Sequence, residues 1–148
     1  MEVTVDTSQI QILEDFFNDL SNADQRKIFM AAYRKAAKPL VMAAKSTVPY
    51  RTRTLLRSIG TVEVPQEIAI LVGAKKSGQY KGWHGHLVES GTVERFRKKS
   101  GGATGKMPVS HFFENAYNAT EDQVFGTIEK SWYDEIDKFI LKTNKRLK

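Results

Sequence analysis

Cysteine is absent from all 148 residues. That excludes disulfides, thiolate zinc sites and cysteine nucleophiles together, and it fits a chain made in a reducing cytoplasm. Long apolar runs are also missing. None approaches the ~20 residues of a membrane-spanning helix, so no membrane partner is expected. The opening MEVTVDTSQ lacks the basic-then-apolar order of a secretory signal. What is present is a globular balance, 41% hydrophobic and 27% charged. With no internal repeat and no composition break, the expectation is a single domain over 1–148.

The net charge of +6 is distributed in blocks. Residues 1–24 hold six acids and no bases, and residues 25–57 hold nine Lys/Arg and no acids. Residues 73–108 hold eight Lys/Arg against Glu89 and Glu94, and residues 114–137 hold seven acids against Lys130. Five bases close the chain. Such blocks suit subunits stacked acidic face to basic face in a ring, a nucleic-acid footprint, or two oppositely charged helices lying against each other.

The periodicity predicts an α+β fold, with a small, mainly antiparallel sheet between a kinked N-terminal helix and a long C-terminal helix. The helical N-terminal part covers 8–47. A first helix is expected over 8–20, and a second is started by a Ser21/Asp24 capping box and carries Ile28, Ala32, Ala36, Leu40 and Ala44. Pro39 inside it should kink or split it. Sheet and loops fill 48–107. Strands are expected at 59–64 and 68–72 around a 65–67 turn, with IAILV a central strand packed on both faces. A third strand is expected at 92–97, with basic, glycine-punctuated loops at 73–82 and 98–106. The C-terminal helices cover 110–145: a short one over 111–118 capped by Ser110, then a long one started by Thr120/Gln123, with a stripe of Val124, Ile128, Trp132, Ile136 and Ile140.

Chemistry is thinly signalled. His84, His86 and Glu89 have a metal-like spacing, but zinc needs three ligands with supporting partners, and only His111, distant in sequence, is available to complete the set. GGATGK at 101–106 lacks the glycine and the Ser/Thr of a phosphate loop. Ser90-Gly91 lacks the nucleophile elbow. Arg51, Arg53 and Arg57 beside Tyr50 are suited to phosphate and base contact, although a solvated helix start with salt bridges explains them as well. No catalytic residue, cofactor or metal ligand is expected.

Three stretches in order carry a resemblance. VPYRTRTLLRSI at 48–59 resembles the P-x-R-T-G-x-L-x-x-S-I segment of the HK-ninety-seven gene-ten-like phage tail and neck proteins, through Pro49, Arg51, Thr52, Leu55, Arg57, Ser58 and Ile59. WHGHLVESGT at 83–92 is similar to that family's aromatic-rich E-x-G-T motif, through Trp83, Leu87, Val88, Glu89, Gly91 and Thr92. MPVSHFFENAY at 107–117 is similar to the segment that opens its last helix, through Pro108, Phe112, Phe113 and Ala116. Arg53 stands where the family has glycine, and Val109-Ser110-His111 alters the usual proline–phenylalanine step.

The resemblance implies a non-enzymatic virion protein made in the host cytoplasm and placed at the neck or top of the tail. It implies a ring, commonly a hexamer, between the head-side connector and the tail tube protein, with genomic DNA passing through the lumen. The motif residues then read as structural. Pro49 stops the helix, the Thr52–Ser58 turn feeds the first strand, and Glu89 accepts backbone N–H bonds in a tight turn. Gly91 supplies a positive φ, and Pro108, Phe112 and Phe113 dock the last helix. Partner contacts fall to Lys75, Lys76, Tyr80 and Lys81 in one loop and to Arg97, Lys98, Lys99 and Lys106 in the other. Two rivals stand beside this reading: a basic nucleic-acid-binding protein and a metal-dependent hydrolase.

Overall fold

The structure, a computed structural model, describes residues 14, 15, 17, 18, 20–49 and 53–146. Residues 14, 15, 17 and 18 are helical, and the rest of the expected first helix lies outside the described residues. The second begins as its capping signal requires. Ser21 is extended (φ −60°, ψ 147°), its Oγ accepts from the Asp24 N–H at 3.2 Å, and its hydroxyl donates to the Asp24 carboxylate at 2.7 Å. Helix α1 then runs over Asn22–Thr47.

Pro39 does not split α1. Interior proline costs about 3 kcal/mol, yet the apolar stripe keeps its phase on both sides of it. Ile28, Ala32, Ala36, Leu40 and Ala44 are all buried. Continuous burial of one face offsets the lost hydrogen bond.

The C-terminal part differs from expectation. Phe112–Arg146 is one helix, α4, of 35 residues. Thr120, expected to open a new helix, lies within it, buried, with its hydroxyl donating to the Ala116 carbonyl at 2.8 Å. Threonine can cap or bond back inside a helix, and no proline or glycine between 112 and 125 forces a break. Of the expected stripe Ile136 is buried, Val124, Ile128 and Trp132 are half-buried, and Ile140 is exposed.

Helices α1 and α4 pack antiparallel. The Thr47 hydroxyl donates to the Phe112 carbonyl at 3.0 Å at one end, while Ile28 and Leu20 meet Ile136 at the other. Between them Lys35 reaches Glu135 at 2.7 Å, and Lys138 reaches the same oxygen at 2.9 Å. A basic helix therefore does lie against an acidic one, joined by this bridge. The Lys35 hydrogen bond, and then that of Lys138, hold the Glu135 carboxyl below the usual carboxylate range. A depressed folded value contributes stability above the unfolded pKa of about 4.3 that is lost as pH falls through the folded value. Glu135→Gln is therefore expected to flatten the acid limb of stability in urea titrations as pH falls below the unfolded value, and an unchanged limb would refute the assignment.

Strands β1 (Ile59–Glu63) and β2 (Ile70–Ala74) form an antiparallel hairpin with Ile59 opposite Ala74 and Glu63 opposite Ile70. The second strand starts two residues later than expected. Its connecting loop is held to α1 by Arg26, which donates to the carbonyls of Glu67 at 2.6 Å and Val64 at 2.9 Å, while Arg34 pairs with Glu63 at 2.6 Å. IAILV is not a central strand. Its sheet has two strands, and Leu71 is exposed on the outer face. A short apolar run reads the same whether one face is covered or both.

The expected third strand does not join this sheet. Arg95–Phe96 (β3) pairs with Ala103–Gly105 (β4) in a separate bulged hairpin, so part of the segment taken as loop is a return strand. Every residue over 93–109 is exposed, which makes this hairpin a projecting arm. Two further helices, α2 (Thr54–Ser58) and α3 (Gly85–Ser90), flank β1 and β2 in the chain. The main core gathers Leu40, Ala44, Val48, Leu55, Ile59, Phe112 and Ala116. The α+β class holds, with long helices at both ends of the described chain.

Candidate functional site

The three motifs converge. In the first, Pro49 follows α1, exposed, while Arg51 and Thr52 lie outside the described residues. Arg53 has φ 60° and ψ 1°, and its carbonyl accepts from the Arg57 N–H at 3.0 Å. An arginine thus occupies left-handed backbone at the position where the resembled motif has glycine, so the departure in sequence has not relieved the turn of its strain. Left-handed backbone costs a side-chain-bearing residue about 1–2 kcal/mol, against about 0.5–1 for glycine's extra unfolded freedom. Arg53→Gly is expected to leave stability equal or raise it by up to about 1 kcal/mol, and Arg53→Val to lower it by more than 1 kcal/mol. Thermal melts of the pair check the order, and Val proving the more stable would refute the turn.

Leu55 and Ser58 are buried, and the Ser58 hydroxyl donates to the Leu55 carbonyl at 2.7 Å. The Ser58 carbonyl accepts from Lys75 N–H, and the Lys75 carbonyl from Gly82 N–H at 2.8 Å, which closes the 75–82 loop at its base. The second motif follows directly. A Cβ on Gly82 would stand 2.1 Å from Ser58 Oγ, and one on Gly85 2.9 Å from Ala74 Cβ. Gly82, just ahead of the second motif, and Gly85 within it let this segment lie flush on Leu55 and Ser58 of the first motif and on Ala74 of β2. Arg57 donates to the Tyr80 hydroxyl at 3.2 Å and lies 5.1 Å from its ring centre. Tyr80 is therefore half-buried and engaged within the subunit, while Lys75, Lys76 and Lys81 are exposed.

The second and third motifs are stitched side by side. Val88 carbonyl accepts from the Ser110 N–H and hydroxyl, Glu89 carbonyl from the His111 N–H, and Met107 carbonyl from the Thr92 N–H. Thr92 Oγ1 accepts from the Met107 N–H at 2.9 Å. The Glu89 carboxylate accepts from the N–H groups of Phe113 at 2.9 Å and Glu114 at 3.0 Å. Glu89 thus caps α4, a helix 23 positions further along the chain, where an anion meets free N–H donors and the positive end of the helix dipole. The expectation that it accepts backbone N–H bonds is met, but at that helix instead of its own turn. Ser110, expected to cap, bonds to Val88, and His111 enters the helix with φ 46°. Gly91 has φ 70° and ψ −172°, a positive-φ extended conformation open essentially to glycine.

This latch walls a cleft of about 280 Å³ whose lining includes Lys76, Trp83, His86, Glu89, Phe112 and Phe113. Trp83 is exposed, whereas Phe112 is core. The His84/His86/Glu89 spacing does not set up a centre: His86 Nδ1 faces the Trp83 carbonyl at 2.9 Å. The ligand-type atoms that cluster within 4.8 Å are those of Glu89, His111 and Glu114. Both Glu89 oxygens there already accept from helix N–H groups, and His111 Nδ1 faces Glu114 at 2.8 Å. A helix N-terminus favours an anion over a metal cation. The cluster is accounted for as a cap. Sequence reasoning missed the roles of Arg26 and Ser110. No spacing rule links a side chain to a carbonyl 38 or 41 positions away.

Arg97, Lys98, Lys99 and Lys106 all sit on the exposed arm, Phe96 among them. Pro108 lies at the exposed return of the arm to the latch, and Phe113 is half-buried beside Phe112. No helix among the described residues is long and apolar enough to cross a membrane. No curated protein and no solved structure matches the chain. The family model described as a bacteriophage HK97-gp10 tail component matches residues 12–91, more than half of the chain. The match takes in the first motif and the second as far as Gly91, and the third motif lies beyond it. The chain belongs to the bacteriophage HK97-gp10-like tail-component family, whose members are virion proteins.

Proposed function

We propose that this tail component is a ring subunit of the head–tail junction, without catalytic activity, joining the head-side connector to the tail tube. A hexameric ring would leave a lumen for the genomic DNA. The observation that carries this reading is the division of labour in the chain. The described motif residues go mostly into the scaffold: Leu55, Ser58 and Phe112 into the core, Glu89, Gly91 and Thr92 into the latch. The cationic segments 75–82 and 93–109 stay almost wholly on the surface. Rigid scaffolds that present exposed loops are how binding surfaces are commonly built.

Charge reversal tests it. Lys75→Glu, Lys76→Glu and Lys81→Glu together should leave the subunit's melting unchanged, because all three are exposed, and should block joining of heads to tails in an in vitro complementation assay. Normal joining with failed DNA delivery would assign the loop to the lumen. Heads and tails that join in the protein's absence would end the junction reading. A nucleic-acid-binding role is the second reading, favoured by Phe96 standing exposed among Arg95, Arg97 and Lys98.

A further inference from the structure

The arm and one groove of this chain have complementary chemistry. The arm, 93–107, carries Arg95, Arg97, Lys98, Lys99 and Lys106 against Glu94 alone. Phe96 is 63% exposed on it, an aromatic side chain left largely in water. An exposed aromatic among cations is a typical anchor for a protein interface.

The groove lies between α1 and α4 along the middle of the helix pair, with Phe17 closing one side. It has a volume of about 570 Å³ and is lined chiefly by aromatic and aliphatic side chains, among them Tyr33, Phe125, Trp132 and Ile136. Sites that enclose drug-sized molecules span about 300–1,000 Å³, so a phenylalanine side chain fits. Phe125 and Tyr133 are more than half exposed on its rim. Asp122 and Glu129 flank Phe125 at i−3 and i+4, both exposed, and put negative charge on the same helix face. The Trp132 indole N–H in the wall is buried without an acceptor among the described residues, so a small turn of that ring would offer a donor to an incoming backbone carbonyl.

The base of the arm and the groove stand apart on one subunit, and Phe96 stays exposed instead of seated in its own groove. The arm springs from the latch at the start of α4, and Phe125 lies 13 residues along that helix, about 20 Å at 1.5 Å per residue. Two different patches that fit each other, placed apart on one chain, make a head-to-tail contact, and such a contact closes into a ring when its rotation closes.

We propose that the β3–β4 arm of one copy seats Phe96 in the α1–α4 groove of a second copy, its cations against Asp122 and Glu129. The inference rests on the ring reading only for closure, because the arm–groove contact itself is a property of two copies.

The test uses the full chain in two variants of exposed residues. One disables the arm (Phe96→Asp, Arg97→Glu, Lys98→Glu), and the other disables the groove (Phe125→Asp, Glu129→Lys). Thermal melts establish that both fold. Sedimentation and native mass spectrometry then follow assembly. The wild type is expected to self-associate, and each variant alone to be monomeric, weakened by at least about a hundredfold. A 1:1 mixture is expected to give heterodimers and nothing larger, since it holds one intact arm and one intact groove. Assembly of either folded variant as in the wild type overturns the proposal. So does a wild type that stays monomeric at about 100 μM, a concentration at which micromolar contacts are saturated. Loss of duplex-DNA retention by the arm variant with self-association intact also overturns it. If the proposal fails while rings still form, the ring reading stands. That reading falls separately if electron microscopy of labelled virions finds no ring of this protein at the junction.

Discussion

Gly91→Val should lower the unfolding free energy by about 3–5 kcal/mol, the largest loss expected from a single change in the latch. Two effects add. At φ 70° and ψ −172° a β-branched residue sits in backbone space that costs about 1–3 kcal/mol. A Cβ there would also stand 2.8 Å from Val109 Cγ2, 2.9 Å from the Met107 carbonyl oxygen and 3.0 Å from the Val109 nitrogen. Two of these are backbone atoms of the strand-like partner segment, so they can yield only by pulling Met107 away from Thr92. Gly101→Val is the control. Gly101 has φ 63°, but open space surrounds its Cβ position, so only the backbone effect remains. Chemical denaturation of the two variants separates strain from collision. Equal losses would mean that the close approach at Gly91 is not real.

Glu89→Ala should cost about 2–3 kcal/mol. It removes two charge-assisted hydrogen bonds and the only side-chain cap on the start of α4 among the described residues. Loss of a cap alone costs about 0.5–2 kcal/mol, and the lost anion adds a helix-dipole contribution of about 0.3–1. The first turn of α4 carries Phe112 into the main core, so fraying there reaches Leu55 and Ile59. Glu89→Gln keeps one acceptor and should fall between. Hydrogen exchange gives the residue-level readout, with the Phe113 and Glu114 amides losing protection before the rest of the helix. If those two amides exchange no faster in the Ala variant, the cap is not what holds the helix start.

How far the sequence could be read varied by element. The α1 stripe was legible in full because Ile28, Ala32, Ala36, Leu40 and Ala44 repeat at helical spacing and Ser21/Asp24 mark the start. Gly91 was legible as a positive-φ position, and Glu89 as an acceptor of backbone N–H bonds. The continuous α4 was not. Thr120 carries the same local signal whether it caps a new helix or bonds back to Ala116 within an old one, and only packing against α1 decides. Nor was the arm legible, since a bulged pair of two- and three-residue strands has almost no alternation to detect.

By itself, then, the sequence determined the absence of thiol chemistry, the α+β class, the amphipathic face of α1, the alternating charge blocks and the motifs that place the chain in its family. These are local or compositional properties, set by residues within a few positions of one another. The tertiary structure decided which motif each motif touches. Glu89 finds its donors 24 and 25 positions away, Arg26 its carbonyls 38 and 41 away, and Lys35 its carboxylate 100 away. Contacts of that separation depend on how two long helices bring distant turns together, and a linear pattern carries no record of that distance until the core formed by Leu40, Ala44, Leu55, Ile59 and Phe112 closes it.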